Sequence, residues 1–381
     1  MPEPEPHKPL AGIRVVEIGT SVAAPYAGWI LAALGADTLK VERPGQGDDA
    51  RQWGNLFDDG SSSVFHYLNH GKRGITVDLK DEKERAWLRN HCLTEADVIV
   101  QNLRSGHVER YGLGADELRQ ENPRLIYCNL RAFGTHGPLH DRPGYDPLMQ
   151  ALSGIMSITG EAGRPPVRVG VSMIDMGTGM WCAIGILAAL YRRAETGRGC
   201  VVDASLYETS LAWMAHALVS VQATGRSPGR QGTRARGMAP YEAYECSDGY
   251  LVIAAPNDHL FERVSQVLGH PEWPRDARFD GNQKRFENIE ELNACMTPVL
   301  KQHTRDYWRD KLDAAGVPSA PVRDSVEMMQ DEQTRALEII QGIEDRKPRL
   351  MGMPLSFDGA RPPLTRLAPL LGEHNKQIKD E

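Results

Sequence analysis

The sequence predicts an α/β protein with a Rossmann-like parallel sheet in a large domain and a smaller α+β domain after it. Three observations carry this expectation. Short apolar runs rich in Val, Ile and Leu alternate with helical patterns from the start of the chain to residue 206, as βαβ units do. A stretch rich in Gly and Arg (RSPGRQGTRARG) then interrupts the alternation. Beyond it the pattern changes to a hairpin followed by amphipathic helices.

The opening unit is clear. Residues 13–19 (IRVVEIG) read as a strand, and 21–35 (SVAAPYAGWILAALG) as a helix with Ser21 as candidate cap and Pro25 near its first turn. Residues 37–42 (DTLKVE) form the next strand. Ligands of such sheets bind near the strand ends. The GxGxxG fingerprint is absent, which weighs against a nicotinamide-dependent dehydrogenase. Further strands are expected at 75–79, 96–101, 125–130 and 200–206, and helices at 80–94 and 208–225. Residues 102–112 read as a loop and short helix. Residues 241–255 form a hairpin about Ser247-Asp248-Gly249. Helices follow at 258–268, 289–302 and 304–315, an extended stretch at 317–323, and a helix at 325–340. The expected division is a large domain at 1–225, a linker at 226–240, a small domain at 241–325, and a linker with C-terminal segment at 326–381. Residues 226–237 read equally as a flexible linker or as an anion-facing loop.

Composition narrows the function classes. Hydrophobic residues make up 41%, charged residues 25%, and the net charge is −7, so no basic footprint for nucleic acid is present. The six cysteines show neither CxxC nor paired His spacing, which disfavours zinc and a disulfide framework. The first ten residues, MPEPEPHKPL, lack an apolar h-region, so the cytoplasm is the expected compartment and no membrane is expected as a partner.

Residues 144–193 organise the chain around one acid, Asp175. An apolar strand-like run (VGVSMI) leads into it. The nearly charge-free pattern of 178–190 follows, with small residues Gly179, Ala183, Gly185, Ala188 and Ala189. A helix apolar all round belongs in an interior, and this pattern is too short to span a bilayer. Asp175 reads either as the helix N-cap or as a catalytic acid whose charge the helix dipole favours by about 0.3–1 kcal/mol.

The ordered series GIRVVEIGTSVAAPYAGWILAALGADTLKVERPGQGDDAR, NHGKRGITVDLK, ADVIVQNLRSGHVERYGLG, NPRLIYCNLRAFGTHGP, GYDPLMQALSGIMSITG, VRVGVSMIDMGTGM and PLLGEH resembles the class III CoA-transferase (CaiB/BaiF) family. Formyl-CoA transferase and succinyl-CoA:dicarboxylate CoA-transferases belong to that family, and the likeness runs along essentially the whole chain. The resemblance implies an interlocked homodimer, with the C-terminal segment returning to a large CoA-binding domain. It implies coenzyme A as co-substrate, an acyl-CoA and a free carboxylic acid as partners, and no permanently bound cofactor or metal.

By the same resemblance Asp175 is the nucleophile, passing through a mixed anhydride and an aspartyl-CoA thioester. Val22, Ala23, Arg43, Lys72, Arg73, Arg104, Arg110 and Tyr111 fall where the family contacts CoA. Tyr145, Arg131, Arg168, Arg234 and Arg236 are candidate substrate contacts, the arginines for the free carboxylate of a dicarboxylic acid. Taken singly, each of these charges also reads as a solvated loop residue. In the racemase branch of the family a GHD motif supplies a second base. Here that motif is Gly144-Tyr145-Asp146, and a phenol with an ordinary pKa of about 10 is a poor base at neutral pH. Transfer is therefore expected over racemisation, with a CoA-binding protein lacking turnover as the remaining alternative.

Overall fold

The structure, a computed structural model, describes residues 8–344 and 346–380. The chain forms two compact units. One comprises the residues up to Ile155, Arg168–Arg226 and those from Gln333 onward; the other comprises Met156–Val167 and Ser227–Glu332.

The first unit is built on six parallel strands: β1 (Arg14–Ile18), β2 (Asp37–Glu42), β3 (Arg73–Thr76), β4 (Val98–Gln101), β5 (Ile126–Arg131) and β6 (Val201–Ser205). Their order is β3-β2-β1-β4-β5-β6, and every pairing is parallel. The period of two splits each central strand between two cores. Val15, Val98, Val100, Ile126 and Cys128 face one core; Val16, Ile99 and Tyr127 face the other. That double burial is why these strands read as continuous apolar runs.

The first core is covered by α1 (Ala23–Ala33), whose residues it includes. Next in the chain come α2 (Ser63–Asn69), α3 (Glu82–Thr94), α4 (Ala115–Glu121), α5 (Asp146–Leu152), α6 (Ile155–Ile158), α7 (Met173–Thr196), α8 (Leu206–Trp213) and α9 (Ala215–Thr224). Leu88 and Cys92 of α3 and Leu118 of α4 belong to the second core. Ile174, Cys182, Ala183 and Ile186 of α7 complete the first. Residues 366–378 run along the edge strand β3. Gly71 N–H donates to Arg366 O (2.9 Å), Gly74 N–H to His374 Nδ1 (3.1 Å) and Thr76 N–H to Asn375 Oδ1 (2.9 Å).

The second unit carries an antiparallel sheet of β7 (Tyr241–Cys246), β8 (Gly249–Ala254) and β9 (Ser319–Pro321). Its core joins Leu251 and Ile253 to Phe261 and Val264 from residues 258–267, Leu292 and Met296 from 289–300, and Trp308 and Leu312 from 305–314.

Several expectations are corrected. The strand expected at 75–79 lies at Arg73–Thr76, in register with Leu39–Glu42. The helix expected at 208–225 breaks at Met214 into α8 and α9. The helix expected at 325–340 is two short ones, Ser325–Gln330 and Glu332–Ala336, because Asp331 adopts an extended conformation (φ −60°, ψ 138°). The run expected as a strand just before Asp175 is irregular over residues 169–172 and helical from Met173, so Asp175 stands inside α7. That helix runs 24 residues, so the apolar pattern marked only its middle.

Candidate active site

The sheet's order reverses between β1 and β4, and ligands of open α/β sheets bind outside the carboxyl ends of the strands at that point. A cleft lies there, with a volume of about 250 Å³. Its walls come from the turn after β1 (Thr20–Ala23), the turn after β4 (Asn102–Ser105), the end of β5 with its loop (Leu130–Ala132 and His140–Tyr145), and Asp175. A second cavity of about 580 Å³ adjoins it, sharing Thr20, Leu103 and Arg104. Arg43 and Tyr111 line that second cavity.

Asp175 occupies the third position of α7. The cap reading is overturned. Ser172 is the N-cap residue and makes no side-chain bond. The carboxylate of Asp146 takes over, accepting from Ile174 N–H (2.6 Å) and Asp175 N–H (3.3 Å), while its other oxygen accepts from Gln150 Nε2 (2.5 Å). Asp146 is buried, and its charge lies close to Asp175. Burial first, and the Asp146 charge second, raise the Asp175 carboxyl from its ordinary 3.8 to about 7. That rise corresponds to about 4 kcal/mol against the ionised form, several times the 0.3–1 kcal/mol that the helix dipole returns. The side chain is thus a carboxylate of raised basicity.

The structure brings Val22, Ala23, Arg104, Arg131, Tyr145 and Asp175 to the first cleft. Arg131 is held by Ser105 Oγ (2.5 Å) and approaches Asp203 at 4.0 Å. Its Nε, the atom that faces Asp203, is buried and makes no hydrogen bond. Tyr145 is 61% exposed and belongs to the cleft wall instead of packing in a core. Arg43 donates to Gly47 O (2.9 Å) and pairs with Asp49. Arg110 is exposed on the turn Glu109–Tyr111 beside the second cavity but outside its wall.

Other expected contacts fall elsewhere. Lys72 is fully buried, bound to Glu17 (2.6 Å), Pro25 O and Asn69 (2.8 Å each). It lines neither of the two cavities and is tied to α1 through Pro25 O. Arg73 opens β3, at the amino-terminal edge of the sheet, and forks onto Asp37. Arg168 is exposed and bends onto Val169 O and Gly170 O (3.4 Å each). Arg234 and Arg236 belong to the second unit. Arg234 is held by Glu242 and Glu290, and Arg236 donates to Gly229 O.

Sequence reasoning missed Thr20, Asn102, His140 and Arg142 in the cleft wall. Thr20 and Asn102 follow β1 and β4 directly, so their position at strand ends was the available signal. His140 and Arg142 sit in an irregular loop and gave none. Both His140 nitrogens are engaged, by Gly137 O (2.9 Å) and Asp141 (3.0 Å).

A doubly wound sheet with a carboxyl group of raised pKa in its switch-point cleft has the layout of an enzyme's active site. Residues 10–375 match the model of CoA-transferase family III, and the chain belongs to that family. It is 38% identical to an acetyl-CoA:oxalate CoA-transferase of Acetobacter aceti, over 99% of this chain and 96% of that one. It is 36% identical to a succinate–glutarate CoA-transferase of Agrobacterium fabrum, over 100% and 97%. The crystal structure of a CaiB/BaiF family protein from Brucella suis superposes with a TM-score of 0.90 at 37% identity, covering 98% of this chain and 99% of that one. The protein is accordingly a CoA-transferase.

Proposed function

We propose that the enzyme moves CoA from an acyl-CoA to a free dicarboxylic acid through covalent intermediates on Asp175. One observation carries this: a carboxylate of raised pKa stands in the cleft at the carboxyl ends of the strands. A carboxylate oxygen of Asp175 attacks the thioester carbonyl, the C–S bond breaks, and a mixed anhydride forms with release of CoA thiolate. The thiolate attacks the aspartyl carbonyl and expels the donor acid, leaving an aspartyl-CoA thioester. The acceptor carboxylate attacks that thioester, its C–S bond breaks, and a second mixed anhydride forms with release of CoA thiolate; the thiolate then attacks the acceptor's acyl carbonyl and expels the Asp175 carboxylate. Splitting the exchange this way replaces one difficult step by easier ones.

CoA lies along the two adjoining cavities in this reading, near Val22, Ala23, Arg43, Arg104, Arg110 and Tyr111. Arg131, in the wall of the cleft that holds Asp175, takes the distal carboxylate of the acceptor, and Tyr145 contacts the acyl group. Relatives named for oxalate and glutarate support a dicarboxylic acceptor. A second chain completes the enzyme as a homodimer. Racemisation is the weaker reading. Tyr145 stands where the second base would, and both nitrogens of the cleft's His140 are occupied within its own loop.

The test is mass spectrometry of the Asp175 peptide after incubation with succinyl-CoA. A CoA adduct that oxalate or glutarate discharges is expected. Exchange of the α-proton with no adduct would establish the racemase reading instead.

A further inference from the structure

The structure assigns a positioning role to Lys40, which lines neither cavity, and to Asp48, which also forms part of the second cavity's wall; both are buried, and no step of the transfer uses them. The inference rests on the reading of the cleft as the acyl-CoA site. Lys40 side chain is fully buried. Its ammonium holds Glu17 (3.0 Å), Asp48 (2.7 Å) and the carbonyl oxygen of Gly19 (2.6 Å). The other oxygen of Asp48 accepts from Ser21 N–H and Ala50 N–H (3.0 Å each). The second anion, Glu17, is balanced in turn by the buried Lys72 (2.6 Å). Two cations and two anions therefore form one neutral cluster beneath the turn that follows β1.

Buried ion pairs are a weak source of stability, because desolvation offsets their attraction. What this cluster holds is informative. Lys40 fixes Gly19 from one side and Asp48 fixes Ser21 from the other. Asn102 takes both the N–H (2.9 Å) and the carbonyl (2.8 Å) of Thr20 between them. Ser21 is thereby kept at φ +68°, a left-handed conformation uncommon for a residue with a side chain. Such backbone persists only where its surroundings over-determine it. The turn places Thr20 to Ala23 in the cleft wall that also contains Asp175. Lys40 and Asp48 thus set the surface on which the coenzyme's arm rests.

The experiment uses the full-length enzyme with Lys40→Met and Asp48→Asn combined, which removes one cation and one anion and leaves Glu17 balanced by Lys72. CoA binding is titrated directly, and steady-state constants are measured for acyl-CoA and for the free acid. The double variant is expected to keep its circular dichroism spectrum, to bind CoA at least tenfold more weakly, and to raise KM for acyl-CoA at least tenfold. Its KM for the acid should move less than threefold. Unchanged CoA affinity, or a fall in kcat with both KM values unchanged, would overturn the inference. Should the double variant not fold, Asp48→Asn alone carries the same test with the same thresholds. Wild-type enzyme that bound no CoA would instead remove the reading of the cleft on which this rests.

Discussion

The ionisation of Asp175 is set first by its burial and then by a side chain 29 positions earlier. Asp146 caps the helix that carries Asp175 and also raises its pKa. A nucleophile must be charged to attack, so activity should climb with pH through about 7 and level off above it. A profile of kcat/KM against pH checks this. Asp146→Asn removes the neighbouring charge and should shift the acid limb to lower pH; an unmoved limb would show that burial alone sets the value. Asp175→Asn should lower turnover by about 10³-fold or more, with no adduct on the peptide and the circular dichroism spectrum unchanged. The family motifs made Asp175 legible in the sequence. The capping role of Asp146 was not, since its backbone partners lie 28 and 29 residues away. Nor could sequence separate Lys72 and Arg73 from the ligand-facing bases: whether a charge beside a strand meets a cavity, a buried partner or the opposite sheet edge depends on tertiary pairing.

At the scale of elements, α1 and α7 pack closely enough to touch through backbone. A Cβ on Gly179 would fall 2.7 Å from Ala23 O and 3.1 Å from Ala27 N. Gly179→Ala should therefore force the helices apart and destabilise the fold. Overpacking costs about 1–3 kcal/mol, and about 1 kcal/mol of helix propensity offsets part of it. A net loss of up to about 2 kcal/mol in urea unfolding is expected, together with a weaker hold on CoA, because Ala23 lines the cleft. The strands of the sheet were legible because each is an apolar run between turn signals. The short helices α2 and α4 went unread. Seven residues each, they are barely two turns long and offer little periodicity. The break at Met214 was also hidden, since no Gly or Pro marks it.

The molecule as a whole leaves much apolar surface uncovered. Met180, Trp181, Ile184 and Tyr191 of α7, Trp213 of α8, and Leu218 and Val219 of α9 are between 45% and 74% exposed. A patch of this kind marks an interaction surface, and a second copy of the chain is the occupant proposed above. Sedimentation should give twice the mass of one chain, and Trp181→Glu should shift it toward one. Sequence alone read residues 178–190, the middle of α7, as apolar all round but could not say which of its faces met the sheet. A different consequence follows from the strip of chain beside β3. Two N–H groups of that edge strand are met by His374 and Asn375, 300 and 299 positions later, so the first half of the sheet is sealed only after those residues have been synthesised. Until then a bare margin is open to pairing with any passing strand. Deleting residues 366–381 should make that condition permanent, and light scattering at 37 °C would record it as steady clumping.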